Sequence, residues 1–192
     1  MKRLTLTALL LVAAVPLLGG DIHGKLTCKG VRNCEDALVY VDKIAGKTFP
    51  APADHAKVDQ KAMQFHPHVL PVLVGTTVDF HNSDSVLHNV FSPDACADKF
   101  NLGTWPQGQV KSFTFKKECA AALLCKVHPD MDGFVVVLPT PYFAVAAADG
   151  SYEIKNVPDG AVTVKAWHPK LKAAQKAVTV SGSTDVNIDL SK

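Results

Sequence analysis

The sequence predicts an all-β protein made of two β-sandwiches, one inserted into the other. Three observations predict it. Short runs rich in Val, Phe and Thr recur between Gly, Pro, Asn and Asp. No segment carries a helical period of useful length, although 171–177 could form one turn. The strand-like runs after about residue 142 are too few to close a sandwich, and the runs before residue 50 supply the missing ones.

The chain begins with Met1-Lys2-Arg3, an apolar run over 4–18 and Gly19-Gly20. A short cationic stretch, an apolar stretch and small residues describe a signal peptide over 1–20 and an exported, periplasm-like location. The run is short for a membrane span and Pro16 interrupts it. Leu17 or Leu18 stands where a small residue is usual before cleavage, so an uncleaved membrane anchor is the alternative. Cleavage after Gly20 removes Lys2 and Arg3, so the net charge falls from +2 to zero. Nothing in that balance suggests a nucleic-acid surface.

Residues 21–50 then open the small sandwich with the runs 22–26 and 36–41. A coherent block over 54–139 follows, with strands expected at 69–74, 77–80, 110–115, 120–124 and 134–138. Gly75 and Asn82-Ser83-Asp84 mark turns within it. Residues 142–192 complete the small sandwich through 152–154, 162–164 and 178–190, with turns at Asp149-Gly150 and Asp159-Gly160. In this last part Trp167 is expected to anchor the small core and His168 to pack between the two units.

The five cysteines are Cys28, Cys34, Cys96, Cys119 and Cys125. Disulfides persist in exported proteins, and an odd count leaves one thiol over. Four cysteines allow three pairings. Cys28 and Cys34 flank a turn-like segment, and pairing them leaves Cys96 with Cys119 by elimination. Cys125 is then the odd thiol.

Cys125 opens the segment Cys125-Lys126-Val127-His128-Pro129-Asp130-Met131, and His88 stands upstream. One tight turn thus presents a thiolate, an imidazole and a thioether, and a distant strand adds a second imidazole. Two histidines, a cysteine and a weak axial methionine define blue-copper electron-transfer sites. His88, Cys125, His128 and Met131 are therefore the candidate metal ligands for one copper ion cycling between Cu(I) and Cu(II). His66, His68 and His81 could add ligands, which would favour a copper enzyme or copper-handling protein. His66 and His68, two apart, would face the same side of a strand.

From Val74-Gly75-Thr76-Thr77-Val78-Asp79-Phe80 through Asn82-Ser83-Asp84 and His88-Asn89-Val90 to the ligand loop and Gly133-Phe134-Val135-Val136-Val137, the sequence resembles the cupredoxin family. The resemblance implies a Greek-key β-sandwich and copper ligation by His88, Cys125, His128 and Met131. It also implies that Asn82 braces the ligand loop. The Cys-x2-His-x2-Met spacing is similar to the short loop of amicyanin-type members. The mature chain more narrowly resembles methylamine-utilisation-protein-like cupredoxins, through Pro67-His68-Val69-Leu70-Pro71-Val72, Asn156-Val157-Pro158-Asp159-Gly160 and Ala166-Trp167-His168. The tail resembles carboxypeptidase-regulatory or transthyretin-like β-sandwiches, which are usually non-catalytic.

No Gly-rich phosphate loop, nucleophile elbow or His-Glu-x-x-His run is present. The reading is a carrier rather than an enzyme. It would pass single electrons to a redox protein such as a c-type cytochrome or a dehydrogenase, with Val90, Val127 and Pro129 as an apolar docking patch.

Overall fold

A computed structural model describes residues 19–192. Its strands run in chain order as β1 (Gly19–Cys28), β2 (Leu38–Val41), β3 (Ala56–Lys61), β4 (Gln64–His66), β5 (Val69–Leu73) and β6 (Thr77–Asn82). They continue as β7 (His88–Phe91), β8 (Asn101–Trp105), β9 (Val110–Thr114), β10 (Cys119–Leu124), β11 (Asp132–Leu138) and β12 (Phe143–Val145). The last are β13 (Ser151–Pro158), β14 (Gly160–His168), β15 (Leu171–Val180), β16 (Ser183–Asp185) and β17 (Ile188–Leu190). A short 3-10 turn, Ala95–Ala97, is the one helical element among the described residues. The all-β expectation holds.

Strands from the two chain ends pair with each other. β1 lies between β13 and β16 and also pairs with β17, while a second sheet runs β12-β2-β14-β15. The strands between residues 56 and 138 form two further sheets, β5-β11-β10-β7-β8 and β4-β3-β6-β9. Pleat alternation explains which side chains each sheet buries. β6 turns Val78, Phe80 and Asn82 inward, and they meet a core that includes Val58, Phe65, Trp105, Phe115 and Val135. Phe100 and Phe113 stack at 4.2 Å between ring centroids, and Phe115 meets both edge-on. Ile22, Val39, Val164, Val180 and Leu190 centre a separate core shared by the chain ends.

A third, smaller cluster joins the two groups of sheets. Leu38 meets Val69, Val136 and Leu138 there, with Phe134 and Trp167 packed against them. Trp167 therefore faces the junction rather than the small core. The reason is the period of the strand: Val162, Val164, Ala166 and His168 share the inward face of β14, and Trp167 lies on the other. His168 is nearly buried and lines a cavity with Glu35 and Asp36 of its own unit and His68 of the other, as expected of a residue between the two.

The cysteine pairing agrees with expectation: Cys28–Cys34 and Cys96–Cys119 are bridged, and Cys125 is free and buried. Other expectations give way. Residues 171–177 form no helical turn but the first part of β15, which pairs with β14 from Leu171 opposite His168 to Val180 opposite Gly160. Lys, Ala and Gln favour helices, but a long hairpin partner outweighs that preference. The strand expected over 178–190 divides among β15, β16 and β17.

β3 and β4 were not foreseen because β3 buries only Val58 and Gln60. Their hairpin turns through Ala62 and Met63, both at positive φ, without the Gly or Asn that signals such a turn. The leader expected over 1–20 lies outside the described residues except Gly19 and Gly20, which pair with Pro158 and Val157. Among the described residues no helix is long and apolar enough to cross a membrane.

Candidate metal centre

Two adjacent elements of one sheet carry the candidate ligands. His88 opens β7, and Cys125 follows β10, which pairs with β7 through Leu124 and Phe91. The loop from Cys125 to Met131 then returns into β11, closed by the Met131 N–H donating to the His128 carbonyl at 3.0 Å. This pairing brings together residues 37 and 40 positions apart. His88 Nδ1 lies 4.0 Å from Cys125 Sγ and 3.1 Å from His128 Nδ1. All three ligand atoms fall within 4.8 Å of one another, and no other cluster of this kind occurs among the described residues.

His88 is fully buried, Cys125 and Met131 nearly so, and His128 is half-buried. Met131 packs in the same core cluster as Cys125. One edge of the site, the His128 edge, therefore reaches solvent while the rest is dry.

The orientation of His88 has an identifiable cause. Asp84 Oδ2 lies 2.8 Å from His88 Nε2. A carboxylate only accepts, so Nε2 donates to it, and Nδ1 is the ring nitrogen left facing Cys125 and His128. Asp84 is itself held, accepting N–H bonds from Ala62 at 2.7 Å and Met63 at 2.9 Å. Burial opposes its ionisation, but the Met63, His88 and Ala62 hydrogen bonds outweigh burial and keep its carboxyl below the ordinary range.

The Cys125 sulfur accepts an N–H from Asn89 at 3.4 Å. The Asn89 side chain ties three segments together. Its Nδ2 donates to Gly103 and Asn101 in β8, and its Oδ1 accepts the Lys126 N–H of the ligand loop. Asn82, expected to brace the ligand loop, instead donates to the Val86 and Trp105 carbonyls and accepts from Asp84 N–H. It shapes the segment before His88, because β6 ends there and its inward side chain points into that loop. Asn89 performs the bracing.

His66, His68 and His81 lie outside the three-residue cluster. His66 sits in β4 and meets the Lys61 carbonyl at 3.1 Å. His68 lies beyond β4, 2.7 Å from Asp36, so the two do not share a strand face. His81 stands in β6 opposite Val110. Of the expected docking patch, Val127 and Pro129 are exposed but Val90 is completely buried on the inner face of β7. Val86 and Leu87, just before His88 in the chain, are 43% and 52% exposed.

Asp84 and Asn89 were missed as supporting residues. Asp84 reads in sequence as turn chemistry, and only its spacing of four before His88 hints at more. Asn89 follows a candidate ligand directly, which is the signal that could have found it.

The donor set fits copper: two imidazole nitrogens and a thiol converge in a buried pocket beside a buried thioether. No curated protein matches the chain. Among solved structures, a purple cupredoxin from Nitrosopumilus maritimus is 30% identical over 43% of this chain and 98% of its own, with a TM-score of 0.39. The Cu(I) form of an amicyanin variant is 27% identical over 52% of this chain and 97% of its own, with a TM-score of 0.42. A copper-containing nitrite reductase from Thermus scotoductus is 26% identical over 52% of this chain and 25% of its own, with a TM-score of 0.43. Residues 52–138 match the family model for copper binding proteins of the plastocyanin/azurin family. Through this segment the chain belongs to the plastocyanin/azurin family of copper binding proteins.

Proposed function

We propose that this chain is an exported single-electron carrier in which His88, Cys125, His128 and Met131 hold one copper ion. The observation that carries the reading is the convergence of His88 Nδ1, His128 Nδ1 and Cys125 Sγ, all within 4.8 Å. When bound, copper would supply the one-electron chemistry by alternating between Cu(I) and Cu(II). The chain's own contribution is rigidity. Asp84 fixes the His88 ring, Asn89 fixes the Cys125 loop, and β-sheet holds the elements on either side. A site that moves little between oxidation states keeps the barrier to electron transfer low.

Half-buried His128 is the exit edge for the electron, and Val86, Leu87, Val127 and Pro129 form an exposed apolar rim near it. That rim suits brief docking with a redox protein such as a c-type cytochrome or a dehydrogenase. The positions of His66, His68 and His81 away from the cluster favour a carrier over a copper enzyme with additional ligands. The leader over 1–20 and the two bridged cysteine pairs support an oxidising, periplasm-like compartment. Strand pairing also supports a domain division. In this reading the 54–139 unit is inserted into a small transthyretin-like sandwich of 21–50 and 142–192, whose strands pair with each other. The methylamine-utilisation-like grouping rests on the sequence motifs.

Copper titration of the metal-free protein tests the reading. The expected result is an intense visible thiolate-to-copper band at one equivalent, with a small hyperfine splitting. A weakly coloured product with an exchangeable water would overturn it.

A further inference from the structure

We infer that His68 is a positioning residue that ties the Met131 end of the copper loop to the part of the chain built from its two ends. The inference rests on the copper reading above and extends it to a residue outside the ligand set.

His68 stands between two carboxylates on different parts of the molecule. Its Nδ1 lies 2.7 Å from Asp36 Oδ2 and its Nε2 lies 3.6 Å from Asp132 Oδ2. Asp36 follows the Cys28–Cys34 loop and precedes β2, whereas Asp132 directly follows Met131 and begins β11. A carboxylate only accepts, so the ring Nδ1 donates to Asp36, while the other ring nitrogen faces the Asp132 carboxylate across a longer gap. Asp36 adopts a φ of 67°, a conformation non-glycine residues rarely take and Asp tolerates better than most.

The grip on the loop is not electrostatic alone. The His68 carbonyl accepts the Phe134 N–H at 2.8 Å, and the His68 ring meets the Phe134 ring edge-on at 5.9 Å. Phe134 in turn packs edge-on against Trp167 of β14 at 5.4 Å. Between them, Gly133 has no room for a side chain: a Cβ there would sit 3.0 Å from Phe65 Cβ and 3.2 Å from the His68 carbonyl oxygen. Two of the three residues after Met131, Asp132 and Phe134, thus meet one histidine, through a polar side-chain contact, a main-chain bond and a ring contact. Gly133 between them packs against the same main chain. That histidine is anchored to Asp36. An axial thioether is a weak ligand whose distance tunes the potential, so restraint on the residues beside it sets the site's properties.

The test uses the full chain with and without copper, in His68→Leu, His68→Gln, Asp36→Asn and Asp132→Asn. Asp132 is more than half exposed and the isosteric Asn changes preserve shape, so these variants fold even if His68→Leu does not. In metal-free protein, amide exchange at Phe134 is expected to accelerate about threefold in His68→Leu and Asp132→Asn. In copper-loaded protein, the same two variants are expected to change the ratio of the two visible thiolate-to-copper bands and shift the midpoint potential in one common direction. His68→Gln and Asp36→Asn should give smaller shifts of the same sign. The double variant His68→Leu/Asp132→Asn should shift no further than His68→Leu alone, since both act through one contact. Unchanged spectra and potential in all four variants, with at most a lower melting temperature, would overturn the positioning role and leave the copper reading standing. No thiolate-to-copper band in the unmodified protein would overturn both.

Discussion

Asp84 and His88 are joined by a 2.8 Å hydrogen bond from the imidazole Nε2 to a carboxylate that also caps the Ala62–Met63 turn. The bond connects a hairpin with almost no apolar signal to the most buried candidate ligand. It determines which nitrogen of His88 faces Cys125, and so makes a fully buried imidazole available to a metal.

Replacing Asp84 with Ala should weaken copper binding by about ten- to a hundredfold, the usual cost of losing an orienting carboxylate behind a metal-bound histidine. Competition against a copper chelator of known affinity measures it. Unchanged affinity would show that packing alone orients His88.

Cys125→Ser should abolish the visible thiolate-to-copper band while leaving the β-rich circular dichroism spectrum intact. Cys125 is buried and takes no part in either disulfide, so the framework of Cys28–Cys34 and Cys96–Cys119 remains. A variant that keeps the band would remove Cys125 from the ligand set.

Stability should fall with acidity in part through His168. The ring is nearly buried and its Nδ1 accepts the Lys170 N–H at 3.0 Å. Burial, the largest cause, pushes its pKa below the ordinary histidine value despite nearby Asp36. The unfolded chain therefore takes up a proton at higher pH than the folded one. This contribution to stability is complete above about pH 6.5 and is lost as pH falls from there through the folded value. Urea unfolding of the parent and of His168→Asn, compared at pH 7.5 and 5.5, measures the difference. An equal pH dependence in the two proteins would refute the assignment.

Phe80→Ala should cost about 3–5 kcal/mol, as a large aromatic removed from a closed core does. Phe80 is fully buried against the Phe100 ring on the inner face of β6. Chemical denaturation of the metal-free protein reads this directly, since no ligand then contributes to stability.

Much of the fold was legible because strand alternation and turn residues are local signals. β6 and β14 announce themselves through apolar residues at every second position, and β11 through the unbroken apolar run Phe134-Val135-Val136-Val137-Leu138. β3, β4 and β8 stay silent: their few buried residues are scattered, and the Ala62–Met63 turn uses residues that rarely enter positive φ. β15 reads as helix-forming because Lys, Ala and Gln suit a helix, yet it pairs along nearly its whole length with β14. Val90 reads as a surface residue beside a ligand, but pleating turns it fully into the core.

By itself the sequence determined the chemistry on offer. It held a Cys-x2-His-x2-Met loop, an upstream histidine, an odd cysteine and alternating strands, because residue type and short spacing are written into the chain. Tertiary structure decided what those groups meet. His88 and His128 lie 40 residues apart, and their Nδ1 atoms come within 3.1 Å only because β7 pairs with β10. Asn89 behind Cys125 and His68 between Asp36 and Asp132 depend on the same kind of long-range pairing, whereas Asp84 reaches His88 across only four residues. Contacts across tens of residues follow from how sheets stack and register, and no local pattern encodes that.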